Sequence, residues 1–365
     1  MKKYLAILTG ILTATSILSS SLSYAQSTED TVEQRESKIE DKKEDLLKKM
    51  ETPDEILRMI RERAEAKLVE KRKQLLRKFK IAAALKNGFE TNPLNDQAEK
   101  GDWFVEEELT MNWLPTFTKH LAADVGYRVT NQSYMEQTDV STFDNDFTAS
   151  LKYYPFESHE LFLQPGVTFE WLNYPRDELA TYADTKRFLK FKHYIGTKWY
   201  YGGKYEYSDK VYDNKLARDI NKNSLSEIVR NDHRNTVELY ATRNIAKYSV
   251  RLKAKAYRNN SNDEYQAYYD YYAYRGYLTL SGSFLKDDRL YVSFTPDYEV
   301  KSYDRRVAVD TARWDNVLNY RLDAYYTMTK NLELAYTYSY KNSVSNAEAG
   351  EFLDITNSMG ITYRF

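Results

Sequence analysis

Groups able to do acid–base or nucleophilic chemistry are few in this chain of 365 residues: it has four histidines, His120, His159, His193 and His233, and no cysteine. Without cysteine there is no thiolate nucleophile, thiolate metal site, disulfide or lipoprotein-type anchor. A serine–histidine mechanism needs the hydroxyl within hydrogen-bond reach of the ring, and no local motif sets up such a pair. His233, in Asp232-His233-Arg234, is the one histidine placed to act as a base, near the expected outer mouth of the fold. His120 and His159 fall near expected turns. His193 falls on an outward face, or inward if its strand slips by one residue. Glycine-rich phosphate loops and paired metal-binding histidines are missing. Asp144-Asn145-Asp146 and Asn262-Asp263-Glu264 offer oxygen ligands of the type calcium takes, but neither has the spacing of an EF-hand. A carboxylate pair assembled by the fold is left open by sequence. The chain reads as a non-enzyme, with no catalytic residue, cofactor or metal assigned.

More chemistry lies in charge placed on alternate residues. Lys190, Lys192, Lys204, Arg251, Lys253, Lys255 and Arg275 share one register of expected strands six to ten. Glu106, Glu108, Asp124 and Glu170 share the matching register of strands two to five. Facing a water-filled lumen, basic and acidic walls set a transverse field that favours small polar or charged solutes. A selective lumen would prefer an anionic or polar solute, but the near balance of the two signs does not give strong anion selectivity. The plainer alternative is that opposite charges pair and knit the wall together. The tyrosines Tyr265, Tyr268, Tyr269, Tyr271, Tyr272, Tyr274 and Tyr277 either offer stacking faces for sugar rings or belong to an interfacial girdle.

The elements that must hold these residues are strands. Past Lys80 the hydrophobic period is two. At the C-terminus Leu353, Ile355, Met359, Ile361, Tyr363 and Phe365 fall on one face, and Asp354, Thr356, Ser358, Gly360, Thr362 and Arg364 on the other. Dyad alternation in segments of about ten residues marks a transmembrane barrel. Candidate strands centre on Leu85, Leu109, Val125, Leu151, Val167, Phe191, Tyr205, Leu239, Leu252, Leu278, Val292, Leu322, Tyr336 and Ile361. The even count of about fourteen suits a single-chain bacterial barrel. Short connections, such as Leu114-Pro115 and Gly196-Thr197, alternate with long ones, such as Asp209–Asn231 and Asp304–Thr311; short turns belong to the periplasmic rim and long loops outside. Trp103, Trp113, Trp171, Trp199 and Trp314 fall at or near strand ends, where a membrane girdle sits.

Composition agrees. The 53 Lys+Arg against 54 Asp+Glu exclude a nucleic-acid binder held by bulk charge. A mean hydropathy of -0.72 excludes a bundle of transmembrane helices. The 34 tyrosines fit a polar chain whose outer wall meets lipid.

Residues 1–25 read as a signal peptide: Lys2 and Lys3, an apolar stretch to Leu18, then Ser23-Tyr24-Ala25 for cleavage. Residues 26–80 read as a charged α-helical periplasmic arm. Val32, Ile39 and Leu46 recur every seven residues, and Thr52-Pro53-Asp54-Glu55 starts a second helix carrying Ile56, Leu57 and Ile60. The arm serves self-association, tethering of a protein partner or plugging, or is a solvated leader. The expected fold is all-β: an antiparallel transmembrane barrel of about fourteen strands over 81–365, preceded by this arm.

The signal peptide, the alternating strands and the terminal Thr362-Tyr363-Arg364-Phe365 resemble a Gram-negative outer-membrane β-barrel protein, porin-like in kind. That resemblance implies an outer-membrane location in contact with lipid. It also implies recognition by the barrel assembly machinery through Phe365 and Tyr363. The segment Leu85 to Leu94 resembles the first barrel strand of surface lipoprotein assembly modifiers, which implies, as the alternative to a channel, a secretion, assembly or anchoring role with the arm binding a protein client.

Overall fold

A computed structural model describes residues 79–96, 100–265, 269–308, 311–347 and 350–365. The expected signal peptide, the arm up to residue 78 and Tyr268 lie outside the described residues.

Residues with alternating polarity cannot bury both faces at once, so each segment becomes a strand with one wet and one apolar face. The strands are β1 (Phe79–Glu90), β2 (Asp102–Trp113), β3 (Leu121–Tyr134), β4 (Thr142–Tyr153), β5 (Leu161–Asn173), β6 (Tyr182–Ile195) and β7 (Trp199–Arg218). They continue as β8 (Ser224–Ile245), β9 (Tyr248–Ser261), β10 (Tyr271–Phe284), β11 (Leu290–Ala308), β12 (Thr311–Thr327), β13 (Leu332–Ser345) and β14 (Phe352–Arg364). Each pairs with its sequence neighbours. β1 also pairs antiparallel with β14, from Ala82 opposite Arg364 to Glu90 opposite Thr356, so no edge is left open. A closed antiparallel ring satisfies every backbone group without water, which is what a lipid environment demands.

Two connections differ from the sequence reading. Leu114-Pro115 is not a turn. Proline has no N–H for the ladder, so it interrupts β2, which resumes as Thr116–Thr118 against β3, while the Pro115 carbonyl still accepts the Ala123 N–H at 2.8 Å. The span Asp209–Asn231 is largely strand: β7 and β8 run on, with register shifts after Val211, to a tip at residues 219–223. At 20 and 22 residues they far exceed the span of about 9–11 that crosses a bilayer, so this hairpin stands beyond the membrane.

Register fixes which residues face out. Leu85, Leu163, Leu189, Leu239, Leu252, Leu280, Phe294 and Ile361 are exposed on the outer wall. The same wall carries Trp103, Trp171 and Trp314 toward the long-loop rim, and Trp113 and Trp199 at the short-turn rim. An apolar belt between two rings of tryptophan is the outer surface of a transmembrane barrel.

Candidate functional site

On the inner wall one continuous cross-strand row runs Gln164, Lys190, Lys204, Glu238, Lys255, Arg275, Glu299, Val317, Ser343. It exists because strand register puts every second residue of each segment on the lumen side. Lys192, Arg251, Lys253, Glu106, Glu108, Asp124 and Glu170 share that face by the same registers.

Pairing within the wall is uneven. Three of the four expected acidic residues meet cations on neighbouring strands, and Glu108 has no cation in ion-pair contact among the described residues. Lys86 reaches Glu106 at 2.5 Å and Lys152 reaches Asp124 at 2.8 Å, while Lys186 bonds Glu170. Arg128 takes both Asp144 and Asp146, whereas Asn145 points to the opposite face, so these three cannot converge on one ion. Among the expected basic residues, Lys204 pairs with Glu206, Lys253 lies 3.5 Å from Glu238, and Arg275 binds Asp297 at 2.7 Å. Lys190, Lys192, Arg251 and Lys255 have no carboxylate in ion-pair contact among the described residues. The wall is therefore mostly knitted on its acidic side and carries uncompensated cations on its basic side.

Three of those cations line a cavity of about 700 Å³ in the short-turn half of the lumen. Lys192 sits 3.7 Å from the centre of the Tyr200 ring and 4.4 Å from that of Tyr194. Arg251 donates to the Tyr200 hydroxyl at 2.6 Å and to Thr242 Oγ1 at 3.0 Å. Lys190 lies over the Phe162 ring at 6.0 Å. Cations held against ring faces keep their charge and a fixed place without being neutralised. Sequence reasoning missed Tyr194, Tyr200 and Tyr240 here, although their inward register was the signal that could have found them.

A second cavity, about 540 Å³, lies toward the long-loop rim. Most of its charges are paired: Arg313 holds Asp315 at 2.6 Å and Lys301 holds Glu299 at 3.0 Å, whereas Lys341 donates to the Asn95 side-chain oxygen at 2.6 Å and has no carboxylate in ion-pair contact among the described residues. The tyrosine run divides between faces. Tyr271 and Tyr277 are inward, Tyr272 and Tyr274 are exposed outward, and Tyr269 covers Arg230 with the guanidinium 3.2 Å from its ring centre. At the tip between β7 and β8, the Asn223 side chain and the backbone N–H groups of Asn221 and Asn223 all donate to Asp219, holding its carboxyl below the usual range.

Among the described residues none of the four histidine rings has a serine or threonine hydroxyl partner. His120 and His159 meet the backbone carbonyls of Tyr154 and Lys119, at 2.8 and 2.6 Å. His193 and His233 meet the hydroxyls of Tyr201 and Tyr207, at 2.9 and 3.0 Å, on the outer face. His193 is thus outward, and β6 holds the expected register.

No protein-family model and no curated protein matches the chain. Solved structures similar to it include OmpT, an outer membrane protein of Vibrio cholerae, at 8% identity, covering 79% of this chain and 97% of that one, with a TM-score of 0.45. An outer membrane channel from Pseudomonas putida F1 is similar at 15% identity, with 79% and 95% covered and a TM-score of 0.41. The NanC porin is similar at 10% identity, with 77% and 98% covered and a TM-score of 0.37. Likeness this distant settles neither ligand nor activity. The ring closure, the apolar outer belt between tryptophans and the charged inner wall identify the chain as an outer-membrane-type β-barrel on their own.

Proposed function

We propose that the barrel is a passive channel for small polar or charged solutes, with anions favoured. The observation that supports this reading best is the group of cations without an ion-pair partner, Lys190, Lys192, Arg251 and Lys255, clustered on one side of a lumen wall that also carries Lys210, Arg234 and Lys341 without a carboxylate in ion-pair contact among the described residues. A wall built only for stability would pair these too, because a partnered charge costs less than a lone one. Filtering is electrostatic and steric, with Lys190, Lys192 and Arg251 attracting the solute and the rings of Tyr194, Tyr200 and Tyr240 narrowing its path. In this reading the filtering needs no covalent step.

The C-terminal Phe365, with Tyr363 outward on β14, serves in this reading as the signal for barrel assembly. The arm read from the sequence over residues 26–80 serves, in this reading, to bind a protein partner or a second copy.

The test is planar-bilayer conductance of the refolded mature chain under a salt gradient, with and without residues 26–78. Stable conductance with an anion-selective reversal potential supports the channel. Conductance only after deletion makes the arm a plug, and silence in both forms turns the function toward a protein client or envelope anchoring.

A further inference from the structure

The outer wall carries two charges that the lipid-facing reading does not explain. Glu107 on β2 faces outward, in register with Trp103, Leu109 and Trp113 on the same strand. Arg187 on β6 faces outward beside Val167 and Tyr207. Both are the sixth residue of their strands, counted from the long-loop end. Glu107 lies four residues below Trp103, and Arg187 four residues below Ala183, the cross-strand partner of Trp171. The two charges therefore share one depth, inside the apolar belt, where lipid penalises each of them.

Neither is neutralised within the barrel. Glu107 accepts a hydrogen bond from the Asn131 amide at 3.3 Å, and it has no cation in ion-pair contact among the described residues. Arg187 is exposed, and its diagonal neighbour Asp209 is turned to His233 at 3.3 Å. The remaining outward charges on the paired parts of the strands are accounted for: Arg258 binds Asp304 at 2.6 Å, and Arg243 stacks on Trp199 at the short-turn rim. Glu107 and Arg187 are four strands apart, about 19 Å around the wall at the usual strand spacing, so they cannot meet each other. Opposite in sign and equal in depth, they are complementary between molecules.

We propose that the wall at Glu107 of one copy docks against the wall at Arg187 of a second copy, forming a head-to-tail oligomer in the plane of the membrane. The two patches are different surfaces, so the contact is heterologous, and its repetition in the membrane plane gives a ring where the rotation closes. Asn131 and Asn145, outward on β3 and β4 near Glu107, extend the polar side of that contact.

The absence of native cysteine gives a clean test. A chain carrying Glu107→Cys and one carrying Arg187→Cys are co-expressed in the outer membrane and oxidised. Disulfide-linked pairs of the mixed type, exceeding either like-with-like pair several-fold, are the expected result. Independently, native mass measurement in mild detergent or nanodiscs should show an oligomer in the parent chain. Glu107→Arg and Arg187→Glu should each lose that oligomer, and the double reversal should regain it. Glu107→Gln and Arg187→Gln remove a charge from the lipid face, so they should fold and stay heat-modifiable while oligomerising less. A monomeric parent, equal like-with-like cross-linking, or single reversals that leave the oligomer intact would each overturn the proposal.

Discussion

Neutralising the uncompensated lumen cations should measurably reduce anion selectivity, by an amount the barrel geometry sets. Fourteen strands about 4.8 Å apart, tilted by about 40°, close at a radius of about 14 Å. A lysine reaching about 6 Å inward leaves its charge about 8 Å from an ion on the axis, where each charge is worth about 0.5 kcal/mol in water. At 0.15 M salt the Debye length of about 8 Å reduces this to about 0.2 kcal/mol. Lys190, Lys192 and Arg251 together therefore favour a monovalent anion by about 0.6 kcal/mol and disfavour a cation equally. The difference, about 1.2 kcal/mol, is about sevenfold in the anion-to-cation permeability ratio. The triple variant Lys190→Gln, Lys192→Gln, Arg251→Gln should lose that factor, read as a reversal potential moving toward zero. At 1 M salt, with a Debye length of about 3 Å, parent and variant should differ by less than about twofold. A folded triple variant with the parent's reversal potential at 0.15 M would refute the reasoning, because these charges would then not face the conducting path.

Other outcomes follow from local geometry. A Cβ at Gly360 would lie 2.6 Å from Lys86 Cγ and 2.7 Å from the Leu85 carbonyl, so Gly360→Val should strain the β1–β14 seam by about 1–3 kcal/mol. The strain should show as a lower melting temperature of the heat-modifiable band, whereas Gly276→Val, with nothing within 4 Å, should be neutral. Arg230 is buried with two bonds to Asp232, at 2.9 and 2.5 Å, under Tyr269. Arg230→Ala would strand a buried carboxylate at a local cost of about 3–5 kcal/mol, and limited proteolysis of the β7–β8 hairpin should accelerate while the barrel body persists. Asp219 has a depressed folded-state pKa, so its contribution is present above the unfolded value of about 3.9 and lost as pH falls through the folded one. Protection of the Asn221 and Asn223 amides from hydrogen exchange, corrected for intrinsic rate, should hold from neutral pH down through the unfolded value of about 3.9 and be lost only at more acid pH, as the lower folded-state pKa is crossed.

The alternation of residues made the strands legible, because a period of two has only one folded meaning when one face meets lipid and the other water. It also placed Lys190, Arg251 and Glu170 on the inner face before any coordinates, since register carries all residues of one parity together. Charge pairing was not legible. Glu106 meets Lys86 from β1, and Lys204 meets Glu206 on its own strand, and which cation a carboxylate takes depends on cross-strand neighbours and rotamers. Pro115 misled because proline signals a turn in most contexts, yet here it breaks a strand that continues. The hairpin beyond the membrane was read as a loop because residues 209–231 lack an apolar face. Outside the bilayer a strand does not need one, and pairing with its neighbour is enough.

A near-neutral chain can still contain a strongly polarised lumen, because charges cancel in the sum but not in space. Toward the long-loop rim, Arg313 with Asp315, Lys301 with Glu299 and Arg275 with Asp297 form close pairs whose fields fall off within a few ångströms of the wall. Toward the short-turn rim, Lys190, Lys192 and Arg251 face the cavity against aromatic rings, and rings do not cancel their field. In the channel reading, an anion entering from the long-loop side passes a vestibule whose charges are mostly paired, Lys341, Lys210 and Arg234 excepted, and then meets the attractive well of the clustered cations close to the opposite exit. If the barrel conducts, such an off-centre well makes the current asymmetric in voltage, because the driving field reaches the well through unequal fractions of the membrane from the two sides. The asymmetry should fade at 1 M salt and vanish in the triple lumen variant. If it outlasts both, its source is steric, and the long-loop mouth is where that constriction would have to be sought.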